Sequence, residues 1–174
     1  QSHPDPPRTA LRSRPSHCTA LSHYAIIASL FDHDIYPKIG ELLWSIMNEN
    51  AHIIFCKGYI YSDAKSYSFE WIESNNRIGW FDFDTIPHEI GYEIINLMEK
   101  INSSEIFKEK WTHFKISLTE EGKFNIEFAY IPEDDRWPGL YMKAISDLRE
   151  DELDKYNIPF EEWEKRVTLK EINK

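Results

Sequence analysis

The chain of 174 residues carries 20 basic against 30 acidic side chains, a net charge of −10, with 41% hydrophobic and 14% aromatic residues. That length supports one core large enough to need no disulfide or metal, and six Trp, nine Tyr and ten Phe argue against disorder. The acidic balance excludes a protein that grips nucleic acid through its own cations, and no apolar run approaches the ~20 residues of a membrane-spanning helix.

Two cysteines, Cys18 and Cys56, make no disulfide framework, so the chain reads as cytoplasmic. Residues 1–23 hold Arg8, Arg12 and Arg14 against Asp5 alone, with four prolines and no apolar period. They read as a disordered leader, an expression remnant or an upstream joining region, ahead of a single domain over 24–174. The apolar stretch Tyr24–Phe31 is too short, and too interrupted by Ser29, to serve as a secretory signal. A weak helical pattern covers 22–31.

Ile35, Ile39, Leu42, Leu43 and Ile46 recur at helical spacing, with Asp34 placed to cap and Pro37 in the first turn. The pattern predicts a helix over 35–49. Strands are expected over 52–62, 66–73 and 77–83, joined by turns of about three residues that imply antiparallel pairing. Asp84-Thr85-Ile86-Pro87 opens a second helix with an apolar stripe at Ile90, Ile94, Leu97, Met98 and Ile101. Strands over 111–118 and 124–130 then flank Glu120-Glu121-Gly122-Lys123, in which Gly122 accepts positive φ cheaply. Helices over 140–151 and 159–167 complete the order α-β-β-β-α-β-β-α-α. The expected fold is α+β, with about five strands in a single antiparallel sheet packed with helices.

Motifs for catalysis are missing: the sequence has no G-x-G-x-x-G, P-loop, H-E-x-x-H, C-x-x-C or G-x-S-x-G. Cys56 lies in an apolar strand and reads as a small buried hydrophobe. His33, His52, His88 and His113 show no metal-ligand spacing, and His113 beside Lys115 and Ser117 reads as part of a solvated strand face. Asp82 and Asp84 offer paired carboxylates for Mg²⁺ or acid–base work, as in a metal-dependent hydrolase. The simpler reading has Asp84 cap the following helix while Asp82 meets its dipole. No catalytic residue, metal or cofactor is therefore expected.

The acidic tract is more informative. Between Glu133 and Glu164 lie eleven acidic residues against Arg136, Lys143, Arg149 and Lys155, interleaved with Trp137, Tyr141, Tyr156, Phe160 and Trp163. Aromatic anchors in a field of one sign suit an interface for a basic protein. The candidate contacts are Glu133, Asp134, Asp135, Trp137, Tyr141, Asp147, Glu150, Asp151 and Glu152. On this reading, replacing Asp134 and Asp135 with Lys slows association and lowers its salt sensitivity.

The runs Trp111–Leu118 and Glu121–Tyr130 resemble the Trp-x-strand–Gly-Lys-Phe–strand hairpin of the YezG-like (DUF600) antitoxin and immunity proteins. Tyr67-Ser68-Phe69-Glu70-Trp71 and Phe83-Asp84-Thr85-Ile86-Pro87 are similar to that family's strand and helix entry, and the likeness covers roughly 35–155. The resemblance implies a small cytoplasmic immunity protein of a contact-dependent inhibition or polymorphic toxin system. Such a protein binds a cognate toxin one-to-one, often a nuclease, and no catalytic motif carries over. An RNase is preferred, because the basic cleft of such an enzyme suits an acidic occluding partner. An intracellular adaptor that presents its open sheet edge or its Trp-rich face to another protein is the alternative.

Overall fold

The computed structural model describes residues 34–104, 107 and 109–172. Helix α1 (Ile35–Ile46) is followed by strands β1 (Ala51–Ile60), β2 (Lys65–Glu73) and β3 (Ile78–Gly79), then helix α2 (His88–Ser103). The hairpin of β4 (His113–Thr119) and β5 (Phe124–Ala129) comes next, and after four short 3-10 turns the chain closes with helix α3 (Phe160–Ile172). The leader, the weak helix over 22–31, Cys18 and His33 lie outside the described residues. Among the described residues no helix is long and apolar enough to cross a membrane.

The strands form one antiparallel sheet of order β3-β2-β1-β4-β5, the α+β arrangement that the alternation predicts. Alternation along a strand sends successive side chains to opposite faces. Ile54, Cys56, Phe69, Trp71, Phe114, Ile116 and Leu118 go to one face and are buried there under Ile39 and Leu43 of α1 and Ile94, Met98 and Ile101 of α2. Gly58 shares this face because a side chain has no room: a Cβ would lie 2.4 Å from the Phe114 ring and 2.6 Å from the Ser66 carbonyl oxygen. The β4–β5 turn places Gly122 at φ 82°, the left-handed geometry expected of it.

Register sets the second face in rows across β2, β1 and β4. Ile72, Ile53 and Thr119 form the first, Glu70, Phe55 and Ser117 the second, Ser68, Lys57 and Lys115 the third, and Ser66, Tyr59 and His113 the fourth. On β5, Asn125, Glu127 and Ala129 extend the last three rows.

Two expected helix details differ. Asp34 occupies the position before α1 but makes no capping bond through its side chain. Asp84 does not cap α2: the helix starts at His88, and Asp82–Thr85 form a separate turn closed by Thr85 N–H to the Asp82 carbonyl at 2.9 Å. Pro87 disfavours helical backbone at Ile86, which detaches Asp84 from the helix.

The predicted helix over 140–151 is replaced by 3-10 turns at Ile145–Asp147 and Glu150–Glu152, followed by a third at Asp154–Tyr156. Met142 has φ 65°, and Ala144, Leu148 and Arg149 are extended, so no continuous i→i−4 ladder can form. Leu140, Ile145, Leu148, Leu153 and Ile158 nevertheless come together in a second small core, joined by Trp137, Tyr156 and Trp163. Helix α3 starts at Phe160 and runs to Ile172, longer than the expected 159–167. It packs on the Ile145–Asp147 turn and donates the Trp163 indole N–H to the Leu148 carbonyl at 2.9 Å.

Candidate functional site

The C-terminal segment is attached to the last row of the sheet's second face. Ile131 N–H donates to Thr112 Oγ1 at 2.8 Å, and the Tyr61 hydroxyl donates to the Ile131 carbonyl at 2.8 Å. Arg136 lies over the Tyr59 and Tyr61 rings, 5.3 and 5.0 Å from their centroids, a cation–π clamp. Tyr141 reaches back to Ser68 and Ser66, and burial raises its phenol above the ordinary value.

This seal corrects the expectation for His113. The strand face is the one expected, but it is not solvated there: the ring is 1% exposed, against Tyr59 and Tyr61 at 5.6 and 5.8 Å, the two rings that Arg136 covers. The Thr112 hydroxyl donates to the Ile131 carbonyl at 3.1 Å, which leaves a lone pair for His113 Nδ1–H at 3.1 Å. Burial, with the Arg136 charge in support, holds His113 down to about 4.

The predicted contact residues divide into those engaged within the fold and those facing outward. Asp135 accepts Ser146 N–H at 3.0 Å and the Ser146 hydroxyl at 2.6 Å, fixing two turns together. Asp147 pairs with Lys170 of α3. Glu152 accepts Arg149 N–H at 3.0 Å and lies 3.4 Å from Lys143, and these contacts hold its carboxyl below the ordinary value. Asp151 is 3.2 Å from Arg149, and Glu133 is 3.8 Å from Arg136. Asp134 and Glu150 are exposed and have no ion-pair partner among the described residues.

Neither expected anchor is a free aromatic. Trp137 is half-buried in the second core and donates its indole N–H to the Tyr156 carbonyl at 3.0 Å, while Tyr141 roofs the sheet. Trp137→Phe removes part of the indole from the second core and orphans that carbonyl, so it is expected to lower stability by at least about 1 kcal/mol in urea unfolding.

Folding gathers three of the acids into one cleft of about 350 Å³. Asp134, Asp135 and Asp147 line it together with Arg166, Leu169 and Lys170 of α3, and with Tyr130, Pro132 and Ala144. Glu150–Glu152 occupy a separate 3-10 turn. The cleft can receive a basic side chain beside Asp134, because Asp135 and Asp147 are already engaged by Ser146 and Lys170. Sequence spacing gave no signal for Arg166, Leu169 and Lys170 in its lining, since that depends on how α3 packs.

One further cluster was invisible in sequence. His52 Nδ1 lies 2.7 Å from Glu120 Oε1, and with Glu121 it offers three ligand atoms within 4.8 Å of one another, all on exposed residues. Glu120 N–H also donates to the His52 carbonyl at 2.9 Å, and the ion pair raises His52 above its ordinary value. Its simplest reading is an ion pair stitching the start of β1 to the β4–β5 turn. Asp82 and Asp84 are exposed and join no three-residue group of metal donors among the described residues. Cys56 is fully buried, and burial pushes its thiol far up, away from nucleophilic character.

Neither a protein-family model nor a curated protein matches the chain, so the functional reading rests on the residues and their arrangement.

Proposed function

We propose that the protein is an immunity-type inhibitor that neutralises a toxin domain by stoichiometric binding in the cytoplasm. The toxin is a basic enzyme, a nuclease and foremost an RNase, whose phosphate-binding cleft the acidic turns occlude in a one-to-one complex. The observation that carries this reading is the pair of outward carboxylates without ion-pair partners, Asp134 and Glu150. Both project from 3-10 turns that Asp135, Asp147 and Glu152 brace from within. Unpaired acids on a braced frame attract a basic partner without first breaking internal ion pairs, and little ordering is lost on binding.

The likeness of the Trp111–Tyr130 segment to the YezG-like hairpin agrees with this role. The test is a pull-down of the purified protein with the toxin domain encoded immediately upstream, followed by a nuclease assay with and without it. A nanomolar one-to-one complex that abolishes cleavage is the expected result. Full cleavage in the presence of excess folded protein would overturn the reading.

A further inference from the structure

Among the described residues, the C-terminal segment covers the second face of the sheet at its last two rows, where Tyr141 reaches Ser66 and Ser68, and much of the remainder is apolar. Ile53, Phe55 and Ile72 are half-buried and belong to neither core cluster. Ile78, paired with Ile72, is 56% exposed, and Trp80, one residue past β3, is 67% exposed. Gly79 between them faces the Trp71 indole on the helical side, which sets Ile78 and Trp80 on the opposite face. An antiparallel sheet that turns one face to water carries polar residues there as a rule. A row of isoleucines bordered by Phe and Trp is instead the composition of an interaction surface.

We propose that this apolar face joins two copies of the chain in an isologous dimer. Charge selects the occupant. Lys57 pairs with Glu70, and Lys115 lies 3.5 Å from Glu127, so the charges beside the apolar row cancel locally. A basic partner steered by the net charge of −10 has no reason to choose this neutral face over the acidic turns. A second copy brings the same apolar rows and equal numbers of Lys and Glu, and a two-fold axis can set one against the other without stranding a charge. Strands about 4.8 Å apart and rows about 7 Å apart make the open face roughly 15–20 Å on each side. That is less than the ~800 Å² per partner of a standard stable interface, so the dimer is weak and reversible. This association goes beyond the inhibitor reading and does not depend on it, because it uses a different surface and requires no toxin.

The test is sedimentation of the full chain over two decades of concentration up to about 0.5 mM, at low and high salt. The expected dissociation constant is on the order of tens of micromolar, falling as salt screens the repulsion between two acidic copies. Ile78→Ser with Trp80→Ser weakens the dimer by at least about tenfold. Both side chains are exposed, and an unchanged thermal melt verifies the fold. Tyr92→Ser, on the exposed side of α2 in the helical layer, leaves the dimer intact. A monomer at every concentration, an unaffected double variant, or equal weakening by Tyr92→Ser would each overturn the proposal.

Discussion

Acidification from about pH 7 to pH 5 is expected to remove about 2 kcal/mol of stability through His113 alone. The imidazole titrates near 6.5 when exposed but is held down to about 4 in the folded chain by burial and by Arg136. Between those values the unfolded state binds a proton that the folded state refuses. The contribution is therefore complete above pH 6.5 and is lost progressively as pH falls toward 4. Protonation would add an imidazolium against the same Tyr59 and Tyr61 rings that already carry the Arg136 guanidinium, so that one aromatic pair would hold two cations. Urea unfolding at the two pH values measures the loss, and His113→Gln should flatten the profile over that interval. Because His113 lies under the seal between the sheet and the C-terminal segment, hydrogen exchange at pH 5 should rise first around 131–141. His52 acts in the opposite sense: Glu120 raises it, so its contribution is present below 6.5 and fades as pH rises. It lies at the surface, where solvent screens the pair, and cannot mask the loss at His113. An unchanged midpoint between the two pH values would show that Arg136 does not seal His113 in solution.

The contrast between the two ends of the chain explains what could be read from the residues. From 35 to 129 most elements carry their own period, of 3.6 or of 2, and hairpin turns fix their neighbours, so the sheet and its helical cover followed from local pattern, except that the strand expected over 77–83 is reduced to Ile78–Gly79. Beyond Ile131 the pattern misleads. Leu140, Ala144, Ile145 and Leu148 have the spacing of a helical stripe, yet successive 3-10 turns bury the same residues, because one apolar anchor per three or four residues satisfies either geometry. What excludes the helix is Met142 at φ 65° and the extended residues after it, next to Tyr141, which reaches Ser66 and Ser68 on the sheet. His113 failed for a related reason. Its strand face was legible from Lys115 and Ser117, but its cover, Arg136, comes from a loop more than twenty residues away. The acidic tract was legible as charge. Which acids remain free was not, since Ser146 and Lys170 are brought to Asp135 and Asp147 only by the fold.

That division decides which charges to reverse in a test of toxin binding. Asp135→Lys would break both bonds to Ser146 and loosen the frame, so weaker binding by that variant would say nothing about contact. Asp134→Lys with Glu150→Lys changes two exposed carboxylates that have no ion-pair partner among the described residues, and the fold should be unaffected. Against a basic toxin domain the double variant is expected to associate more slowly by at least about tenfold at low ionic strength, and with a shallower dependence on salt. Dissociation should change less, because exposed rim charges act mainly on encounter, whereas packed contacts govern residence. Stopped-flow association at several salt concentrations measures both slopes. Equal association rates for the double variant and the parent at low salt would remove the acidic turns from the interface. Inhibition retained under those conditions would place the toxin on another surface of the domain, and Ile78→Ser with Trp80→Ser would then report whether it competes with the second copy for the open sheet face.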